Sequence, residues 1–475
     1  MEGYSDRGTF MYTPNMTERE FALDVVRKLQ QAGFTALWAG GCVRDELLGL
    51  TPADYDIATN AVPMQLPALF KHRNEIGASF GVVQVIGPRG DHGEWLTVEV
   101  ATFRSDGIYS DGRRPDNVVF SSPEEDAQRR DFTINGMFFD PIKSELIDYV
   151  GGRADLGAKI LRAIGNASER FTEDKLRILR AVRMATRFEL AIDPETQAAA
   201  QKMAKEIRVV SPERIAEELR KLLTHKNRAR GLRLMRDFGL IEPVLPELAA
   251  TFTLPQGLPA APTGTLWEHI VRVVEELQGS VSFPLAFGAI LHDIGKPRTF
   301  ARTPDRYTFH RHEHVGRQMA EVIADRLRLS TAEKTRIAWL VEKHQYLAES
   351  PVMRASRLKP ILVHPGIREL LELHRADAVA SGKSLDHVAF CERILRDTPP
   401  EELNPSPAVT GDDLIAIGMK PGREFKQLLD AVRDAQLEGQ IRTKAEGLQL
   451  VRELQSASRP VDLPTHEQAR PPASE

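Results

Sequence analysis

The apolar run Ala36-Leu37-Trp38-Ala39 ends in Gly40-Gly41, and two aspartates, Asp54 and Asp56, follow after a short interval. This stretch constrains the fold more than any other: a buried strand must enter a tight turn, and a second short strand must bring both carboxylates to one face. Glycines without Cβ let phosphate oxygens approach main-chain N–H groups, and Arg44 places a charged donor beside them. Two acceptor-only groups on one face suit Mg²⁺, which binds through one or two carboxylates plus substrate phosphates. The stretch therefore reads as a nucleotidyl-transfer site, with Asp54 and Asp56 catalytic and Gly40, Gly41 and Arg44 binding the nucleotide. Around it, Thr17 with Glu20 marks a capped helix, and Val82–Ile86 and Leu96–Ala101 read as a strand pair. Glu99 on the second of these is either a third carboxylate near the metals or a solvent-facing strand residue.

The chain's 475 residues, with 63 basic and 67 acidic side chains, carry a formal charge of −4. There is no overall basic field, so a nucleic acid must be held by local patches. Cys42 and Cys391 alone exclude a disulfide framework or a cysteine metal cage, and the absence of a signal or membrane-length apolar segment predicts a cytoplasmic protein with no membrane partner.

In order and spacing, Gly40-Gly41-Cys42-Val43-Arg44-Asp45 and Asp54-Tyr55-Asp56 resemble the signature of the tRNA nucleotidyltransferase and poly(A) polymerase family, the class II CCA-adding enzymes and their relatives. Arg129-Arg130-Asp131-Phe132-Thr133-Ile134-Asn135-Gly136 resembles that family's second signature, with Gly136 where Ala is common; the resemblance implies that Arg130 contacts the nucleotide and Asp131 orients it. Asp148 to Leu156 fits the close of the first domain. Arg104 to Pro115, with Arg113 and Arg114, reads as a polar loop of the kind that helps such enzymes add the terminal A.

From Glu173 the spacing predicts one amphipathic helix through Arg183 and beyond, on which Arg177, Arg180, Arg183 and Arg187 share a face at about 100° per residue. The resemblance makes this the nucleobase template. CTP and ATP both present an exocyclic amine beside a ring-nitrogen acceptor; Asp174 accepts from the amine and Arg177 donates to the ring nitrogen. GTP and UTP present the opposite polarity, leaving buried groups unpaired at a cost of about 1–3 kcal/mol each. Arg180 and Arg183 are then expected on triphosphate or ribose. Ser211-Pro212-Glu213-Arg214 has the signals of a helix start and resembles the family's neck motif, whose Glu–Arg pair supports the template helix.

Beyond a turn-rich stretch over 237–266, histidines mark a helical region: His269, His292-Asp293 in His-Asp-Ile-Gly-Lys-Pro, His312, His344 and Asp377. These resemble the complete metal set of an HD-type phosphohydrolase, although His310 and His314 lie close enough to blur the choice of His312. Imidazoles and carboxylates together suit Mn²⁺, Ni²⁺, Fe²⁺ or Mg²⁺.

The expected fold is an α+β nucleotidyltransferase head, a mixed β-sheet with helices over 17–165, followed by an all-α neck (166–236), an HD-type domain (262–390), a C-terminal helical region (408–455) and a disordered tail (456–475). The expected activity is addition of CCA, or its terminal A, to tRNA from CTP and ATP with Mg²⁺, and no stable protein partner is implied. The alternatives are a poly(A) polymerase, an HD phosphohydrolase with a degenerate head, and a non-catalytic RNA-binding protein.

Overall fold

The computed structural model describes residues 16–75, 81–90, 93–106 and 118–457. The N-terminal arm, Arg113 and Arg114 of the polar loop, and nearly all of the tail lie outside the described residues.

Thr17 opens the first helix, Glu18–Gln31, through a reciprocal capping box with Glu20, and the helix buries Phe21, Ala22, Val25, Val26 and Leu29. These apolar residues at helical spacing pack on one face of the head's sheet. The strands in chain order are β1 (Ala36–Ala39), β2 (Asp56–Thr59), β3 (Arg73–Asn74), β4 (Val82–Arg89), β5 (Trp95–Thr102), β6 (Arg104–Asp106), β7 (Val118–Phe120), β8 (Phe138–Asp140) and β9 (Glu145–Ile147). Seven of them form a sheet ordered β3-β4-β5-β2-β1-β8-β9. β2 runs parallel to β5 and antiparallel to β1, so the register sets Asp56 between Ala39 and Glu99. β6 and β7 pair in a separate ribbon, so Arg104, expected in a loop, begins a strand.

One correction concerns the acid pair. Strand β2 begins at Asp56, and Asp54 lies just ahead of it in irregular chain. The two carboxylates therefore meet through the approach to the strand, not through alternation along it.

The neck contains a second correction. The predicted continuous helix is two helices, Ala167–Glu173 and Leu176–Arg187, with Asp174 in extended conformation between them. Helices Pro194–Met203, Pro212–Leu223 and Arg228–Asp237 complete this layer. Pro212 occupies the first turn of its helix as expected, but the Ser211 side chain makes no capping bond.

The turn-rich stretch over 237–266 is packed structure: a short helix Ile241–Val244, a 3₁₀ segment Pro246–Thr251 and a hairpin of Pro255–Leu258 with Ala261–Thr265. Leu240, Ile241, Val244, Leu245 and Leu248 are all buried there. Its prolines and glycines turn the chain without opening the core. One continuous apolar cluster runs from Phe21 to Leu403, through head, neck and the helices that follow, and a separate cluster from Val409 to Val451 holds the C-terminal unit together. Among the described residues, no helix is long and apolar enough to cross a membrane.

Candidate active site and metal centre

The end of the head's sheet at which β1 finishes and β2 begins borders a polar cleft of about 500 Å³ whose walls include Gly40, Gly41, Arg44, Asp54, Asp56, Arg130, Asp131, Asp174, Arg177, Arg180 and Arg183. Every residue singled out for nucleotide chemistry thus lines one cavity, contributed by the start of β2 and the chain ahead of it, the helix Gly41–Leu47, the turn at Arg130 and Asp131, and the neck from Asp174 through the helix Leu176–Arg187.

The acid end is Asp54, Asp56 and Glu99. Asp56 and Glu99 are register partners on neighbouring parallel strands, which makes the third carboxylate a direct neighbour of the pair. The Asp56 carboxyl is pushed up to about 6, first by loss of solvation in the cleft wall and then by the negative charges of Asp54 and Glu99; Arg130 opposes them only weakly. Such unrelieved repulsion is the signature of a site shaped for a cation.

Gly40 has φ +74°, and a Cβ there would stand 2.8 Å from Arg130 Nη1. The missing side chain makes room for a guanidinium lying across the turn, a different use of the glycine from close approach of phosphate. Arg130 donates to Asp126 Oδ2 through Nε and Nη2 at 3.2 and 3.0 Å and lies over the Phe138 ring. Arg44 is buried and largely engaged: it bonds Asp45 Oδ1 at 2.8 Å and Asn135 Oδ1 at 2.5 Å and stacks on Phe188. Arg187 stacks on the same ring and reaches Asp45 Oδ2 at 3.4 Å.

Asp131 accepts from the Phe132 amide, Asn135 Nδ2, and Arg180 Nε and Nη2, the last at 2.6 Å. Burial alone would raise its pKa, but the Arg180 charge and the Asn135 bond hold the carboxyl well below the usual range. Arg183 is buried and spends its Nε on Glu218 at 2.5 Å. The basic stripe is therefore partly neutralised: Arg180 and Arg183 face the cleft tied to Asp131 and Glu218.

Asp174 and Arg177 lie in the same cleft. Arg214 grips both Asp174 oxygens, at 3.2 and 2.6 Å, while Asp174 Oδ1 also accepts from the Leu176 amide at the start of the next helix. Arg177 gives Nη1 to the Arg170 carbonyl and Glu173, and Nη2 to the Arg129 carbonyl. Three of its five N–H groups are so used, leaving Nε and one Nη2 hydrogen available in a fixed plane. An acceptor edge and a donor edge thus stand side by side, each held by residues behind it. Asn135 and Glu218 were not singled out from the sequence. Asn135 sits within the Arg129–Gly136 motif, whereas the role of Glu218 depends on a partner far along the chain.

A second centre lies in the helices that follow. His269 is on helix Leu266–Glu276, His292 and Asp293 directly follow helix Phe283–Leu291, His312 starts helix His312–Arg326, His344 directly follows helix Thr331–Lys343, and Asp377 is on helix Ile367–Ala380. Their ligating atoms fall into two triads, His269/His292/Asp377 and Asp293/His312/His344, each within 4.8 Å. Asp293 links the two: Oδ2 lies 3.1 Å from His292 Nε2, and Oδ1 lies 3.2 Å from His312 Nε2. His310 and His314 are exposed, so His312 is the member that converges.

The ring nitrogens facing away from this centre are pinned. Nδ1 of His292, His312 and His344 lies 2.8, 2.9 and 2.8 Å from the carbonyls of Ala289, Phe309 and Val341. Donating there leaves each Nε2 lone pair aimed inward, the arrangement of a metal-binding imidazole. Asp293 Oδ1 is buried without a hydrogen-bond partner. Gly295 permits the convergence, since a Cβ there would meet the His312 carbonyl oxygen at 2.1 Å. Lys296 Nζ approaches Asp293 at 2.6 Å, a contact that could be suspected only from Gly-Lys-Pro in the sequence. The donor set and the orphaned oxygen fit a divalent cation.

Known proteins share these parts. Residues 36–162 match a family model described as the poly(A) polymerase head domain, 189–252 one described as a probable RNA- and SrmB-binding site of polymerase A, and 266–382 the HD domain. The chain is 41% identical over 259 residues to a CCA-adding enzyme of Latilactobacillus sakei, covering 54% of this chain and 62% of that one. It is 39% identical over 246 residues to poly(A) polymerase I of Salmonella typhi, covering 49% and 51%. The chain thus spans about half to three fifths of the length of the curated relatives it matches. The structure of the Bacillus stearothermophilus CCA-adding enzyme in complex with CTP aligns with a TM-score of 0.68 and 26% identity over 93% of this chain and 99% of that one. A Thermotoga maritima CCA-adding enzyme complexed with tRNA shares the fold at a TM-score of 0.55. Head, RNA-binding region and HD domain succeed one another along this chain, Asp54 and Asp56 lie within the first of them, and in sequence and fold the chain is similar to the CCA-adding enzymes and poly(A) polymerases.

Proposed function

We propose that the protein is a template-independent tRNA nucleotidyltransferase that adds CCA, or its terminal A, to tRNA 3′ ends from CTP and ATP, releasing pyrophosphate. The observation that carries this reading is the Asp174–Arg177 edge, fixed by Arg214, in the same cleft as Asp54 and Asp56. A nucleobase of C or A satisfies both edges, and the incoming triphosphate then spans the cleft towards the acids. Two Mg²⁺ ions, when held by Asp54 and Asp56, supply activation of the RNA 3′-hydroxyl and neutralisation of the pyrophosphate. Gly40 and Gly41 line the phosphate end, Arg130 and Arg180 add positive charge there, and Asp131 fixes the Arg180 plane. The 3′-hydroxyl of the RNA attacks the α-phosphorus in line, the bond to pyrophosphate breaks, and no side-chain nucleophile is used. A tRNA substrate places the enzyme in the cytoplasm.

The test is extension of tRNA transcripts ending before CCA, after C and after CC, with each nucleotide offered in turn. Ordered addition of C, C and A that then stops supports the reading. A-only addition to the CC end narrows it to an A-adding enzyme, and long A tails replace it with a poly(A) polymerase.

A second activity is favoured by the partnerless Asp293 Oδ1 among inward-facing imidazoles. In this reading His269, His292, Asp293, His312, His344 and Asp377 hold Mn²⁺, Ni²⁺, Fe²⁺ or Mg²⁺, which supplies a polarised phosphate and an acidified water for phosphoester hydrolysis. Metal analysis of the purified protein, set against Asp293→Ala, tests it.

A further inference from the structure

The HD centre opens beside a hollow of about 400 Å³ in which its own His344 and Asp377 meet Tyr346, His374, Lys383 and His387. A second hollow, of about 440 Å³, continues from it: the two share Tyr346, Glu349 and Met353, and the second adds Val352, Arg354 and Arg357. Among the described residues, neither Arg354, Arg357 nor Lys383 makes a side-chain hydrogen bond or ion pair; the charge of Glu438 lies near Arg354. The acids lining the two hollows are Glu349, shared by both, and the centre's own Asp377. Val352 is 84% exposed beside Tyr346, whose ring already carries the Lys343 ammonium at 4.9 Å.

Charge and ring alternate outward from the centre. A mononucleotide phosphate seated at Asp377 and His344 would fill the first hollow and leave Arg354 and Arg357 idle. An oligonucleotide end would use both hollows, its terminal phosphate at the centre, the next phosphate at Lys383 and His387, and a base against Tyr346, with a further phosphate at Arg354 and Arg357.

Resting on the hydrolase reading above, we infer that the HD centre acts on the phosphorylated end of a single-stranded RNA, held along a groove from Lys383 and His387 to Arg354 and Arg357. In the reaction, water oxygen bonds to phosphorus, the bond from phosphorus to the ribose oxygen breaks, a proton from water ends on that oxygen, and inorganic phosphate leaves.

The test uses the full chain with Mn²⁺ and two probes, a 3′-phosphorylated hexaribonucleotide carrying 4-thiouridine near its end, and a 3′-mononucleotide. Phosphate release and photo-crosslinking are both read, in the parent, Asp293→Ala and Arg354→Ala/Arg357→Ala proteins. The expected results are a crosslink within 346–357, and a KM for the hexanucleotide at least tenfold below that for the mononucleotide. The arginine double variant should remove that advantage and the crosslink while leaving mononucleotide hydrolysis and CTP incorporation unchanged. Equal KM values with no crosslink overturn the groove but leave the hydrolase standing. A crosslink lost in the double variant, with no phosphate released from either probe, upholds the groove as an RNA site and overturns the hydrolase. Neither crosslink nor phosphate release overturns both.

Discussion

Arg214, at the start of helix Pro212–Leu223, holds both carboxylate oxygens of Asp174, which sits in the break between two other neck helices. The bidentate grip fixes the plane of the carboxylate and so the direction of the lone pairs left for a base. On the proposed function, selectivity for a nucleobase depends on a residue from a third helix.

Arg214→Ala should free the Asp174 carboxylate to rotate and leave it without its cation. The expected outcome is a 10- to 100-fold fall in kcat/KM for CTP and ATP, equivalent to about 1.4–2.7 kcal/mol. Incorporation of UTP and GTP should rise relative to them. Arg214→Lys should recover little, because an ammonium cannot reproduce the fork. Single-nucleotide incorporation kinetics with the four nucleotides measure both effects.

The raised pKa of Asp56 gives a pH dependence with a definite sign. Its folded value of about 6 lies above the ordinary aspartate value of 3.8. The native state therefore holds this proton more tightly, and the associated stability is present below about pH 4 and lost as pH rises through 6. Without divalent ions, Asp54→Asn should remove one of the repelling charges, raise the melting temperature at pH 7–8 and flatten this part of the profile. It should also abolish nucleotide incorporation. In the parent, Mg²⁺ should stabilise more at pH 8 than at pH 5, which thermal melts across that range would show.

The parts of the site legible in sequence are those whose chemistry is local. Thr17 and Glu20 form the capping box their spacing predicts, and the His-Asp pair with its distant histidines converges because each residue sits at or near a helix end. The break at Asp174 was not legible: Glu173, Lys175 and Leu176 are ordinary helix formers, and what displaces Asp174 from the helix is a hydrogen-bond network completed by Arg214, forty residues on. The same holds for Arg183. A stripe of arginines reads as one free cationic face until Glu218, thirty-five residues away, takes one of them. Over 237–266 the prolines and glycines are visible in sequence, whereas the burial of Leu240, Ile241, Val244, Leu245 and Leu248 is tertiary.

The HD centre should bind metal in a proton-linked way. In the protein without metal, burial works against the His292 imidazolium but Asp293 overrides it and raises its pKa. A metal must displace that proton, so affinity should fall as pH drops below neutral. Mn²⁺ or Ni²⁺ at about 100 times Kd should stabilise the fold by about 2.7 kcal/mol at pH 8, and by less at pH 6. Asp293→Ala should lose the effect at both values while retaining CTP incorporation. Thermal melts with and without EDTA provide the readout.

Glu218 tests how the cleft is held together. It is buried and accepts from Arg183 at 2.5 Å, with Arg180 a further neighbour at 3.9 Å. Removing one member of a buried pair leaves the other charge uncompensated, which costs about 3–5 kcal/mol, whereas replacing both by apolar residues is often close to neutral. Glu218→Ala should therefore lower the melting temperature markedly. Glu218→Leu combined with Arg183→Met should recover most of that loss. If Arg183 serves only to brace the neck, the double variant should also recover nucleotide incorporation; if its charge acts on the triphosphate, stability should return while the KM for CTP stays raised. Measuring melting temperature and KM on the same preparations separates bracing from binding.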